Sequence, residues 1–203
     1  MTPEDVETFG RCISVGGVAV FPADTVYGLA TEPDSREGVE RLYRLKGRPP
    51  ERAAAVMFFQ LDSALAALPE LGERTRGAVE ALLPGALTLV LPNPARRYPL
   101  ACGPSPERLG LRVPRLEGEL APLAAVARPV LQSSANRSGE PDARTVADID
   151  ERVCAGVDLV LDAGELPGMP STVVDLSSYE ESGDWSLLRE GAVPREALIR
   201  SLR

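Results

Sequence analysis

The chain predicts an α/β protein in which helices pack on a mixed β-sheet. Three observations carry that prediction. Short apolar runs bounded by Gly and Pro alternate with stretches whose apolar residues recur every three or four positions. Towards the C-terminus, hairpin-like pairs of runs break the alternation, so the sheet is mixed rather than purely parallel. The core is aliphatic, since 44% of the 203 residues are hydrophobic but only 4% are aromatic.

The elements follow in order. Thr2-Pro3-Glu4-Asp5 starts a helix, with Thr2 as N-cap and Pro3 at its first position; Val6, Phe9 and Ile13 keep helical spacing, and Gly16-Gly17 ends it. Gly17 to Phe21 reads as a strand that stops at Pro22, and a turn at 23–26 leads to a second apolar run. A helix starting at Asp34 carries Val39, Leu42 and Tyr43 on one face and delivers Lys46 at its end. Ala54 to Phe59 is a strand, Asp62 caps a short helix to Leu68, and a further helix fills Glu73 to Leu83. After the break at Pro84-Gly85, Ala86 to Leu91 is a strand; the five prolines between Pro92 and Glu107 then mark a long irregular loop. In Leu109 to Val113 the two-residue period puts Leu109, Leu111 and Val113 on one face and Gly110 and Arg112 on the other, a face open and cationic rather than packed. A helix is expected over Gly118 to Ala127, a strand over Pro129 to Gln132 and a helix capped by Thr145. Strands at Val157 to Leu161, Ser171 to Leu176 and Trp185 to Arg189 follow, the last two joined by an acidic hairpin, and Pro194 starts a closing helix. With no repeat and no visible boundary, residues 1–203 read as a single domain.

Composition excludes several mechanisms. There is no histidine, hence no Ser-His-Asp or Cys-His pair and no His-based metal helix. The 22 cationic side chains are 21 arginines and one lysine, Lys46. Its neighbours Leu45 and Gly47 rule out a Walker A loop, and Tyr43 three residues earlier rules out S-x-x-K. No G-x-G-x-x-G follows a strand. The net charge of −8 argues against a protein that coats nucleic acid or an anionic membrane, so any anion site is a local concentration of arginine inside an acidic shell. Cys12, Cys102 and Cys154 lie far apart and form no zinc or disulfide pattern; with no apolar stretch of membrane-spanning length, the expected location is the cytoplasm.

The candidate functional residues sit at strand ends or on open strand faces, where α/β sheets tend to bind ligands. They are Thr25, Lys46, Arg48, Arg112, Ser134, Asn136, Ser171 and Arg189. A lysine kept in an arginine chain offers a compact ammonium with three donors, suited to phosphate oxygens from any angle, whereas arginine offers a planar fork. Each also has an ordinary structural explanation. Lys46 fits a helix C-terminus, Thr25 a turn, Ser134 and Asn136 a loop that bonds its own backbone, and the arginines fit ion pairs.

Taken together, the segments FPADTVYGL (21–29), LKGRPP (45–50), LPGALTLVL (83–91), LGLRVP (109–114), SSANRSGEP (133–141), PSTVVDL (170–176) and LLREGAV (187–193) resemble the YrdC-like family of threonylcarbamoyl-AMP synthases, over about Gly16 to Val193. The resemblance implies a twisted mixed sheet with flanking helices and a concave cationic face. It implies a nucleotidyltransferase that joins L-threonine, bicarbonate or CO2, and ATP into threonylcarbamoyl-adenylate and releases pyrophosphate. A partner transferase then carries the group to tRNA, which this chain meets only indirectly. It places Lys46 and Arg48 as catalytic residues on the phosphates, with Arg108, Asn136, Arg144 and Arg189 also on ATP. Thr25, Arg112, Ser134 and Ser171 fall on threonine, Arg112 gripping its carboxylate. Mg²⁺ travels with ATP, and no resident metal is implied. The chain resembles the short form of the family and departs from its pattern at Ala23, Ala53-Ala54-Ala55, Leu83 and Ala86. Two other readings stand beside it: a non-catalytic relative binding RNA or the ribosome through the same face, and a carbamoyl-adenylate enzyme with a different acyl acceptor.

Overall fold

A computed structural model describes residues 1–202. Helix α1 (Pro3–Ser14) begins as its sequence dictates: Thr2 accepts from Asp5 N, and the Asp5 carboxylate accepts from Thr2 N. Strands β1 (Ala19–Pro22) and β2 (Tyr27–Thr31) form an antiparallel hairpin whose register ends at Pro22 opposite Tyr27. Helix α2 (Arg36–Lys46) is capped by Ser35 Oγ, which accepts from Gly38 N, rather than by Asp34. At its other end Gly47 takes the left-handed conformation (φ +58°), stopping the helix directly after Lys46.

Strand β3 (Ala55–Met57), helix α3 (Leu61–Ala67), helix α4 (Glu73–Leu82) and strands β4 (Leu87–Pro92) and β5 (Arg108–Arg112) follow. The cap of α3 is Gln60, with no side-chain bond, and Asp62 lies in the first turn instead. The helix expected over Gly118 to Ala127 is a 3₁₀ stretch, Gly118–Ala125, because Pro122 within it lacks the amide hydrogen an α-helix needs. After β6 (Val130–Ser134), Thr145 caps only a 3₁₀ turn (Val146–Asp148), and Asp150 then caps the separate helix α5 (Glu151–Gly156). Strand β7 (Leu159–Val160) and strand β8 (Thr172–Asp175) precede α6 (Tyr179–Ser182), one helical turn inside the acidic connection, before β9 (Ser186–Arg189) and α7 (Arg195–Ser201). That turn has structural work: Glu180 accepts from Thr75 N at the start of α4.

Among the described residues the strands form one nine-stranded mixed sheet in the order β7-β1-β2-β6-β3-β5-β4-β8-β9. The pairs β1–β7, β3–β5 and β4–β8 are parallel and the others antiparallel. Alternation along the strands sorts side chains between two faces. One face carries Val20, Leu29, Val56, Leu89, Leu111 and Val174 into the main core against α2 and α4. The other carries Phe21, Ala30, Met57 and Val130 into a smaller core under α1 and the 3₁₀ stretch. There Phe9, Phe21 and Phe59 meet with ring centroids 5.4 to 6.3 Å apart. Helix α1 covers only part of this second face, and the uncovered part holds the site.

Candidate active site

The floor of the site follows from strand register. Gln132 of β6 lies opposite Ala55 of β3, Ala55 opposite Gly110 of β5, and Gly110 opposite Val90 of β4. These residues point to the uncovered face, while Leu109, Leu111, Leu89 and Leu91 point into the main core. The row is small at its centre: a side chain on Gly110 would meet Ala54 O at 3.2 Å and Ala55 Cα at 3.3 Å. The result is a cavity of about 460 Å³, a size that suits a small-molecule ligand.

Four arginines converge on it. Arg48, Arg108, Arg112 and Arg189 all line the cavity, together with Ser134 and Ser171. Arg112 is only 4% exposed and donates to Asp24 Oδ1 at 2.6 Å and to the Thr25 hydroxyl. Asp24 is held in turn by Arg115 N at 3.0 Å. Arg108 pairs with the Asp175 carboxylate of β8, and Arg48 donates to Ala53 O while lying 5.8 Å from the Tyr43 ring centroid. Arg189 turns two donors onto Ser171 O, at 3.2 and 2.7 Å, and one onto Ser171 Oγ at 3.2 Å. Burial pushes the guanidinium groups of Arg48 and Arg189 below their ordinary value; for Arg189 the nearby Arg112 and Arg48 push the same way while Asp142 opposes. Five buried side-chain polar atoms find no partner among the described residues, and three of them are the Nε atoms of Arg48, Arg108 and Arg112. Four cationic side chains around one cavity suit an anion as its ligand.

Lys46 stands behind this wall rather than in it. It is 3% exposed, and its ammonium donates to Ser134 O, to Asn136 O at 2.7 Å and to Asn136 Oδ1 at 3.1 Å. Ser134 Oγ also donates to Asn136 Oδ1, at 2.5 Å, and Asn136 Nδ2 donates to Glu140 O. Lys46 thus ties the end of α2 to the loop after β6, and the backbone repeats the tie through Ser138 N to Lys46 O at 2.8 Å. Burial, and secondarily the charge of Arg48, push its pKa down to about 8.

Of the residues singled out from sequence, Arg48, Arg108, Arg112, Arg189, Ser134 and Ser171 come together on the cavity. Thr25 joins them through Arg112 and Asn136 through Lys46. Arg144 does not: it is exposed and pairs with Glu165 at 2.8 Å, outside the residues lining the cavity. Sequence reasoning overlooked Asp24, Asp175 and Asp142. Asp24 directly precedes Thr25, and Asp142 lines the cavity six residues after Asn136, so closeness in sequence was the available signal. Among the described residues no group of three or more His, Cys, Asp or Glu side chains could hold a metal ion.

Comparison with known proteins agrees with this fold. The Sua5/YciO/YrdC family model, described as "Telomere recombination", matches residues 11–191. A threonylcarbamoyl-AMP synthase of Stenotrophomonas maltophilia is 35% identical over 178 residues, covering 82% of this chain and 90% of that one. A threonylcarbamoyl-AMP synthase of Pyrococcus abyssi is 29% identical over 187 residues, 92% of this chain, of which this chain spans only 54%. The crystal structure of P. abyssi Sua5 complexed with L-threonine superposes with a TM-score of 0.85 at 27% identity, over 99% of this chain and 58% of that one. The chain belongs to the Sua5/YciO/YrdC family.

Proposed function

We propose that this protein is an L-threonylcarbamoyladenylate synthase, a nucleotidyltransferase using L-threonine, bicarbonate or CO2, and ATP. The observation that carries the reading is the convergence of Arg48, Arg108, Arg112 and Arg189 on one cavity that also presents Ser134 and Ser171. The names of the relatives and the threonine held by P. abyssi Sua5 support it.

The chemistry sets the roles. The amine of threonine gives up a proton to bicarbonate or water and bonds to the carbon of CO2, forming a carbamate. A carbamate oxygen then bonds to the α-phosphorus of ATP as the bond to the bridging oxygen breaks and pyrophosphate leaves. Nucleophile and electrophile are both anionic, so alignment and fixed positive charge are the main catalytic needs. Arg48, Arg108 and Arg189 hold the phosphates, and Arg112, oriented by Asp24, grips the threonine carboxylate through its two-pronged guanidinium. Thr25, Ser134 and Ser171 read the substrate amine and hydroxyl. Lys46 fixes the loop that presents Ser134 and Asn136, and Asn136 meets the nucleotide. Mg²⁺ enters with ATP, neutralising the leaving pyrophosphate. The proposed setting is the cytoplasm, where a partner transferase carries the product to tRNA; no helix among the described residues is long and apolar enough to cross a membrane.

The test is pyrophosphate release by the pure chain with ATP and bicarbonate. Release that requires threonine and yields threonylcarbamoyl-AMP is the expected result. Release with another amino acid instead redirects the acyl acceptor, and no release under any condition sinks the reading.

A further inference from the structure

A second cavity, of about 700 Å³, adjoins the first. The two share Arg48, Glu51 and Pro104 as a common wall. One side of the second cavity is α2, which presents Arg36, Glu40 and Arg44. The other side is the proline-rich loop between β4 and β5, through Pro99, Leu100 and Gly103.

Residues 36, 40, 44 and 48 are spaced by four, so the first three stack on one helix face, about 6 Å apart along its axis. Arg36 and Glu40, or Glu40 and Arg44, have the spacing for ion pairs. Yet among the described residues neither Arg36 nor Arg44 makes one, and neither Glu40 nor Glu51 does. Three arginines thus run from solvent to the wall of the active site, with two unengaged carboxylates beside them. A purely cationic lining would suit a bare anion. A lining of cations with interspersed carboxylates suits an anion that carries its own divalent cation.

We infer that this second cavity is the exit chamber for pyrophosphate, which leaves as its magnesium complex past Arg48 and along Arg44 and Arg36. This rests on the proposed synthase reaction, whose leaving group, pyrophosphate, is its most highly charged product. The cations would hold pyrophosphate after it parts from the α-phosphate, drawing it away from the adenylate and disfavouring the reverse attack. A product that leaves through its own door also frees the first cavity for the adenylate.

The experiment compares the full chain with Arg36→Ser/Arg44→Ser and with Arg11→Ser/Arg200→Ser. The last is a control with the same charge change on exposed residues away from both cavities. Binding of inorganic pyrophosphate with Mg²⁺, and separately of ATP, is measured by calorimetry. The expected result is pyrophosphate binding weakened about tenfold in the first double variant alone, with its ATP binding shifted by less than about twofold. Stronger product inhibition in the wild type than in that variant would accompany it. Unchanged pyrophosphate affinity, or equal losses for pyrophosphate and ATP, would overturn the inference. The calorimetry needs no turnover, so its failure reads separately from a failure of threonine-dependent synthesis, which would remove the synthase reading and the exit role with it.

Discussion

Lys46 shows how residue type and residue position answer different questions. Its rarity marked it from sequence, and its place at the end of α2 was legible from Gly47. What its ammonium touches was not, because the partners come from a loop some ninety residues away. The site therefore has a titrating part. Burial disfavours the charged form, so the cation is complete well below pH 8 and half lost near it. Activity that needs the Lys46 tie falls as pH rises through about 8, and Lys46→Arg, if it keeps the loop in place, moves that limb upward in a kcat/KM profile. For stability the sign is the reverse. Between about 8 and the ordinary lysine value of 10.5 the unfolded chain binds more protons, so this side chain's contribution to stability grows with pH across that window. Arg112 gives a second expectation at this scale: Arg112→Ala raises the threonine KM far more than the ATP KM. Asp24→Asn, which keeps the shape but removes the charge beside Arg112, does the same more weakly. Equal effects on both substrates in steady-state kinetics would remove these residues from the amino-acid side.

Elements were most legible where the pattern was local. The alternation of β5 announced both faces correctly, because a two-residue period needs no tertiary knowledge. The stretch at 118–125 is 3₁₀ rather than the expected α-helix because Pro122 interrupts it, and the expected helix after Thr145 is a single 3₁₀ turn because a capping residue does not set helix length. Helix α2 matters most for function, since its last turn and Gly47 place Lys46 and Arg48 together. The left-handed backbone of Gly47 costs a Cβ-bearing residue about 1 kcal/mol even though a Cβ there would meet only Arg137 Nη2, at 3.8 Å, an ordinary contact. Gly47→Ala therefore lowers denaturant stability by roughly that amount and reduces turnover more than the stability loss explains. Turnover at the wild-type level would show that the helix end tolerates rearrangement.

For the molecule as a whole, the sheet and its class were readable from the order of elements, but the strand order was not. Nothing local says that β6 lies between β2 and β3, and that insertion brings Ser134 and Asn136 to the end of α2. The asymmetry between faces was legible in β5, but how much of the open face α1 leaves uncovered was not. The main core carries the stability: Leu111→Ala, wholly buried, costs about 2 to 5 kcal/mol in chemical denaturation. The charge is also asymmetric, −8 overall around a hollow of arginines. ATP binding should weaken steadily between about 50 and about 500 mM NaCl, while single-stranded RNA should bind poorly throughout, since the acidic exterior repels a long polyanion. Tight, salt-sensitive RNA binding in a polarisation assay would favour the RNA-binding alternative.

The small residues at the floor of the cavity have a consequence for how such a protein diversifies. The depth of the hollow is set where β3 and β5 carry almost nothing, at Ala55 and Gly110, while the charges stand around the sides. Depth and charge are thus under separate control. A methyl group added or removed at the floor changes the depth of the hollow, and the arginines around it stay as they were.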